Sequence, residues 1–263
     1  MPIRRLRDTG IAIASTPRRK RAYSAYASTR SVLLDGTAEY VNVDAALTPV
    51  ASDTQGTMSC WVKPVDATPA ALSDLVAFSD TSGQDRVEIG IEVTNGKFRC
   101  FAYDGGPQWF LLTDANPFSD GVWTHCAVTQ NGSDPVLYID GAAPAQTFSV
   151  QTDKTLWFGS SANIDNGRIG CRNINSAGNT KFFNGNVSHV SIWNVALSAT
   201  EIKEIYGVGR PGDLAKHSRR SALKAWFPLG DSPDSSAIAY DIIGLNHGTP
   251  VAVEDADFEV DAP

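Results

Sequence analysis

The sequence predicts an all-β fold, an antiparallel two-sheet β-sandwich with one short α-helix and an extended basic N-terminal arm. Three observations carry that expectation. Short runs rich in Val, Ile, Phe and Trp recur at near-even spacing, with Gly and Asn turns between them. Only the stretch around Ser198 to Tyr206 has the caps and period of a helix, which excludes the alternating order of a parallel α/β sheet. Hydrophobic residues make up 42% of the chain and charged residues 19%, the composition of a globular domain able to bury a core.

The elements follow in order. Residues 1–30 show little periodicity and are read as an arm, in which PRRKRAYSAYASTR interleaves cations with Tyr23 and Tyr26. Ser31 to Val43 reads as two short strands around Asp35-Gly36, and Ala45 to Gly56 as a loop. Thr57 to Lys63 alternates, with Met58, Cys60 and Val62 on one face and Ser59, Trp61 and Lys63 on the other, before Pro64 interrupts the pairing. Leu75 to Phe78 is a strand, and Arg86 to Val93 forms a hairpin with Lys97 to Tyr103 through Asn95-Gly96. Trp109 to Leu112, Trp123 to Gln130, Val136 to Ile139 and Leu156 to Ser160 are further strands. The polar segment Ser161 to Lys181 interrupts the pattern.

Three signals come next in close order. Asn184-Gly185 is placed for a tight turn, and Val187 to Trp193 for a strand. Ser198 stands three residues before Glu201, the spacing of a reciprocal capping box, with Leu197 and Ile202 as its staple. Ile202, Ile205 and Tyr206 supply an apolar face, and Gly207 a stop.

Charge divides the chain. The net charge is -7, yet residues 1–30 carry Arg4, Arg5, Arg7, Arg18, Arg19, Lys20, Arg21 and Arg30 against Asp8 alone, +7, which leaves -14 for the rest. Such an arm suits an acidic partner or its own acidic body. Docking on a protein is favoured over nucleic acid, because the globular remainder shows no basic face to continue a phosphate footprint. Ile11 to Ala14 is too short for a signal peptide, and no run nears the roughly 20 apolar residues of a spanning helix, so no membrane association is expected. Cys60, Cys100, Cys126 and Cys171 lack the close spacings of zinc or redox pairs and read as buried free thiols.

Several segments together resemble one family. FNG with SIWNVALSATEI, SVLLDGTAEYVNV (Ser31 to Val43), MSCWVKP (Met58 to Pro64), WTHCAVTQNGS and LYIDG (Trp123 to Gly141) are similar, in order, to the recurring segments of LamG-like jelly-roll domains of the concanavalin A-like lectin and glucanase superfamily. The resemblance spans about residues 31–210 and implies a concanavalin A-like jelly roll. AWFPLGDSPDSSAIAYDIIGLNHGTPV (Ala225 to Val251) is similar to the lead-in such domains carry before their first strand, but here it follows the helix. Residues 31–263 are therefore expected to form one sandwich, with 211–263 a permuted segment that returns Ala225 to Leu229 beside the opening strands.

That resemblance raises an enzyme hypothesis, which the residues do not support. Glycosidases of the superfamily use carboxylates on one strand, and RVEIGIEV offers only Glu88 and Glu92, with Gly90 between them. Four strand residues span about 13 Å, beyond the roughly 5–9.5 Å separating a catalytic pair. No G-x-S-x-G elbow accompanies His125, His189, His217 or His247, and His125 reads as a hydrogen-bonded framework residue. The chain is expected not to be an enzyme and to require no cofactor.

Binding remains. Rim loops 104–109 and 161–181 are expected to hold sugar by stacking on Trp109 and by hydrogen bonds from Asp104, Asn163, Asp165, Asn173 and Asn175. Calcium is the optional ion there: LamG-like domains often bind it at the rim, and Asn163, Asp165, Asn173 and Asn175 offer oxygen ligands. Ordinary Asx turns are the competing reading of those residues. The chain also looks similar to virion proteins of tailed phages, decorating capsids or tails and made in the host cytoplasm. The leading expectation is a virion structural protein whose arm (Arg4, Arg5, Arg7, Arg18, Arg19, Lys20, Arg21, Tyr23, Tyr26) anchors it to other virion proteins, with a homo-oligomer expected. The alternative is a lectin or adhesin for cell-surface glycans.

Overall fold

A computed structural model describes residues 25–161, 163–231 and 233–263. Arg4, Arg5, Arg7, Arg18, Arg19, Lys20, Arg21 and Tyr23 of the expected arm lie outside the described residues. The strands succeed one another as β1 (Ser31–Asp35), β2 (Tyr40–Asn42), β3 (Gly56–Pro64), β4 (Ser73–Ser79), β5 (Arg86–Ile91), β6 (Phe98–Tyr103), β7 (Pro107–Thr113), β8 (Thr124–Gln130), β9 (Val136–Ile139), β10 (Gln146–Gln151), β11 (Asn166–Ile169), β12 (Arg172–Asn173), β13 (Asn179–Thr180) and β14 (Asn184–Trp193). Helix α1 (Ala199–Tyr206), β15 (Leu223–Phe227), β16 (Thr249–Val251) and β17 (Phe258–Glu259) complete the order.

Two antiparallel sheets form the sandwich. One runs β17-β1-β14-β3-β8-β9, and the other β10-β7-β6-β5-β4-β11-β2-β16. The two strands that open the domain, β1 and β2, separate into opposite sheets. Strand β14 is the axis of the first sheet. It pairs with β3 along one side, while β1 takes Asn184 to Val187 and β15 takes Val190 to Trp193 on the other. The C-terminal segment thus continues the line of β1, and β16 and β17 form the outer edges of the two sheets. The junction lies at His189, whose φ of 50° makes a bulge between the β1-facing and β15-facing halves. Its N–H and the Ser188 hydroxyl both donate to the Pro228 carbonyl.

Alternation in each strand builds the main core between the sheets. Met58, Cys60 and Val62 of β3 meet Val76, Phe78, Ile89, Phe98, Cys100 and Leu111 of the facing sheet. The side chains of opposite parity on the first sheet, Ala127, Tyr138, Trp193 and Trp226, form a second core beneath Ile202 and Ile205 of α1. Trp61 belongs to this outer side and stacks on Tyr206 with centroids 5.5 Å apart. Ser198 caps α1 and Glu201 returns the bond to the Ser198 N–H at 2.7 Å; Gly207, with φ of 59°, stops it. All four cysteines are buried and free.

Three expectations about elements need correction. Asn184-Gly185 is not a turn: both residues open β14, opposite Asp35 and Leu34. Gly185 is required because a Cβ there would sit 2.4 Å from the Lys63 carbonyl oxygen. Residues 156–160 are not a strand; Phe158–Ser160 is a 3-10 turn that buries Phe158 against Phe78. The segment expected to interrupt the pattern contains β11, which fills the gap between β4 and β2.

Candidate functional site

Odd and even positions decide what faces the outside of the eight-stranded sheet. In β5, Val87, Ile89 and Ile91 enter the core, so Arg86, Glu88 and Gly90 point outward. Directly opposed on β6 are Tyr103, Phe101 and Arg99, and β7 adds Phe110 beside Phe101 and Leu112 beside Arg99. On β10 a bulge at Ser149 sets Val150 opposite Phe110, turning a second apolar side chain outward at the sheet edge. The result is a grid across the strands.

One side of that grid is ionic and closed. Glu88 bonds Arg99 Nη1 at 2.8 Å and Arg172 Nη1 at 2.9 Å, and lies 3.1 Å from Arg86 Nε. Arg99 also contacts Asp74, and Arg172 Nε lies 3.5 Å from the same carboxylate. Burial alone would raise Glu88, but Arg99, Arg172 and Arg86 outweigh it and hold its carboxyl down at about 2. Gly90 makes room for this lattice: a Cβ would stand 3.0 Å from Asp74 Oδ1 and 3.1 Å from Arg99 Nη2. The short β12-β13 ladder covers this half, pinned by Arg172 and by Arg168 Nε, which bonds Asn179 Oδ1 at 3.2 Å.

The other side is open and aromatic. Phe101, Tyr103, Phe110, Leu112 and Val150 are each half-buried. Phe110 meets Phe101 edge to face at 5.2 Å, and the Arg86 guanidinium lies 4.7 Å from the Phe101 ring centre and 4.9 Å from that of Tyr103. The arginine thus braces the two rings from the lattice side. Such a surface can stack on flat apolar faces of a ligand while the adjoining lattice limits its position.

The residues expected to bind ligand fall elsewhere. Trp109 is fully buried, and its Nε1 donates to the Leu156 carbonyl at 3.1 Å, so it cannot stack on a sugar; this corrects the expectation. Asp104 and Asn163 do approach one another through Asp85, which accepts from the Gly105 N–H at 3.0 Å and from Asn163 Nδ2 at 2.7 Å. Partial burial and the charge of Asp85 raise the Asp104 carboxyl. Asp165 accepts from the Thr81 N–H and hydroxyl at 2.9 and 2.6 Å, Asn173 gives its carbonyl to Ser79 and Asn166, and Asn175 holds a turn at φ of 53°. These are loop-bracing Asx contacts.

In the structure these side chains are committed to their own loops: both Asp165 carboxylate oxygens accept from Thr81, and the Asn163 amide donates to Asp85. Tyr26 is also placed differently from the expected docking arm. Its N–H bonds the Pro211 carbonyl at 2.8 Å, and its ring packs edge-on against His189 at 4.9 Å and Trp226 at 5.0 Å. Thr29 donates to Asp231, and Arg30 Nη1 to the Phe258 carbonyl. Residues 25–30 are therefore tied to the sandwich. His125, expected to be a hydrogen-bonded framework residue, is instead held by packing beside the stacked Trp61 and Tyr206 rings, with neither ring nitrogen partnered among the described residues.

The two antiparallel sheets define a jelly-roll β-sandwich, and a family profile agrees. The chain belongs to the Concanavalin A-like lectin/glucanases superfamily, whose profile matches residues 35–203. Solved structures share the fold at low identity. The CBM40 module of the Ruminococcus gnavus IT-sialidase, bound to α2,3-sialyllactose, is 16% identical over 70% of this chain and 100% of its own, with a TM-score of 0.55. A Bacteroides ovatus protein provisionally described as carbohydrate-binding is 14% identical over 89% of this chain and 62% of its own, with a TM-score of 0.58. A variant of the NanB sialidase of Streptococcus pneumoniae is 15% identical over 90% of this chain but only 40% of its own, with a TM-score of 0.56. Among curated proteins no sequence matches.

Proposed function

We propose that this chain is a non-catalytic glycan-binding domain whose ligand lies across β6, β7 and β10 on the open half of the outer face. The observation that carries the reading is the half-buried row Phe101, Phe110 and Val150, with Tyr103 and Leu112 beside it. Neighbouring strands are about 4.8 Å apart, so a saccharide crossing them meets a new apolar side chain at each strand. The Arg86 guanidinium fixes the rings that a sugar would cover, which reduces the ordering cost on binding. Glu88 and Asp74 are both locked against Arg99 and Arg172 beneath the β12-β13 ladder, so the carboxylates of this face serve the lattice rather than the open aromatic half.

The sandwich shared with a sialyllactose-bound module and with a protein described as carbohydrate-binding supports the same reading. The anchored virion component rests on arm residues outside the described ones, apart from Tyr26, which the sandwich itself engages. Glycan recognition is therefore placed first. The test is a glycan array followed by calorimetry, with sialyllactose among the first probes. Phe110→Ala is expected to weaken binding by about tenfold, ~1.4 kcal/mol, while the melting transition stays cooperative. Unchanged affinity in Phe110→Ala and Phe101→Ala, or no glycan bound at all, would defeat the proposal.

A further inference from the structure

We infer that the open aromatic face takes an uncharged saccharide and disfavours acidic sugars, which rests on the glycan reading of this face and narrows it to a ligand class. An acidic sugar is held by a guanidinium or ammonium with hydrogen bonds to spare. Strands β5, β6, β7 and β10 carry only Arg86 and Arg99 as cations, and both are committed. Arg99 is held by Glu88 and Asp74. Arg86 lies 3.1 Å from Glu88, donates from Nη1 to the Gln84 carbonyl at 2.7 Å and packs against the Phe101 and Tyr103 rings. Arg172, which joins them from β12, is taken by the same two carboxylates. The Nε atoms of these three arginines have no hydrogen-bond partner among the described residues, but they are sealed from solvent and out of a ligand's reach. Lys154, beyond β10, contacts Asp134 and lies 5.2 Å from the ring of Phe148, which packs on the core side of its strand.

The strand ends add charge of the wrong sign for an anion. Glu92 follows β5, Asp104 follows β6, Asp114 follows β7, and Asp153 stands two residues past β10. Glu92, 4.0 Å from Arg99 Nε, completes the lattice as the third carboxylate for its three arginines. Asp104 and Asp153 lie together at one end of the aromatic row, where the Gln108 side chain donates to the Asp104 carbonyl at 2.8 Å and the Gln108 carbonyl accepts from the Asp153 N–H at 3.0 Å. Asp114 lies at the other end, across from Lys97, whose carbonyl accepts from the Glu92 N–H at 2.9 Å. Asp104, Asp114 and Asp153 thus face Lys97 alone, leaving two negative charges in surplus around the row. Phe101 to Asp104 is three residues, about 10 Å along a strand, roughly one Debye length at 0.1 M salt. At that range two unit charges weaken the binding of a monoanion by about threefold at ~0.01 M salt, and screening removes most of the effect at ~0.5 M. A neutral pyranose keeps every favourable contact. Its apolar face meets the rings, and its hydroxyls donate to carboxylates, which only accept.

The test is calorimetry of the full chain with matched neutral and acidic oligosaccharides, lactose against α2,3-sialyllactose and a xylo-oligosaccharide against its glucuronylated form, at ~0.01 and ~0.5 M salt. Expected are binding that Phe110→Ala weakens, a neutral member bound about threefold or more tighter than its acidic counterpart at low salt, and a ratio near one at high salt. Asp104→Asn with Asp114→Asn is expected to shrink the low-salt ratio toward one as well. An acidic member bound at low salt as tightly as its neutral parent, with Phe110→Ala still weakening it, overturns this inference and leaves the glycan reading standing. A ratio indifferent both to salt and to the paired asparagines overturns it too. Absence of Phe110-dependent binding to any of the four overturns the glycan reading and the ligand class together.

Discussion

Trp109 and Phe110 are adjacent aromatic residues with opposite fates, and one step of strand parity separates them. Trp109 fills the core and donates to Leu156, whereas Phe110 stands half-buried on the outer face against Phe101. The run WFLL (109–112) is apolar throughout, so period-two reading cannot say which side chain faces out. A lone tryptophan beside a Gly-rich turn drew the sequence-based expectation, and the larger ring turned out to be structural. Gly90 shows the same economy of space. The absence of a Cβ admits the contact between Asp74 and Arg99, and a Cβ there would stand only 2.4 Å from the Ser73 carbonyl oxygen. Gly90→Ala is expected to cost about 1–3 kcal/mol by forcing that backbone and the lattice apart. Chemical denaturation checks this, and a loss under ~0.5 kcal/mol would mean that the lattice yields freely.

At the scale of elements, α1 gives the cleanest link from sequence to energy. Ser198 and Glu201 exchange hydrogen bonds across the first turn, while Leu197 and Ile202 are buried in the second core. Ser198→Ala is expected to lower stability by about 1 kcal/mol as a lost cap, without altering ligand affinity, because α1 lies on the sheet opposite the aromatic row. A matched pair of melting and binding measurements decides it. Helix α1 and most central strands were legible because their caps, turns and alternation are local. Strand β11 was not: NGRI carries one large apolar side chain, and its place between β4 and β2 is set by pairing with residues far away in sequence. Strand β10, with the bulge that turns Val150 toward Phe110, was hidden for the same reason. The open aromatic face thus combines outward residues of β6, β7 and β10, braced by Arg86 of β5, each unremarkable in its own segment.

Across the whole molecule, acid is the condition to which the fold is most exposed. His125 and His189 both lie within the first sheet, and burial lowers each from an ordinary value of 6.5 to about 3. Both rings are enclosed by aromatic neighbours: His125 lies beside the stacked Trp61 and Tyr206 rings, and His189 accepts from Trp226 Nε1 at 3.2 Å and packs against the Tyr26 ring. Above pH 6.5 both rings are neutral in the folded and unfolded forms, and their full contribution to stability is present. As pH falls from there toward 3, the unfolded chain takes up protons that the folded chain refuses, so stability is lost. Each histidine can contribute up to about 1.4 kcal/mol per pH unit to that loss. The ionised Glu88, held down at about 2, adds a further loss below its ordinary 4.5. His125→Phe isolates one part of this response, since it keeps an aromatic ring against Trp61 and Tyr206 and discards two unpartnered nitrogens. Urea denaturation from pH 7 to pH 4 is expected to show a slope shallower by about one proton in the variant, with its greatest relative gain at the acid end. An unchanged slope would show that the folded state admits a proton at His125, and that its enclosure by Trp61 and Tyr206 opens in solution.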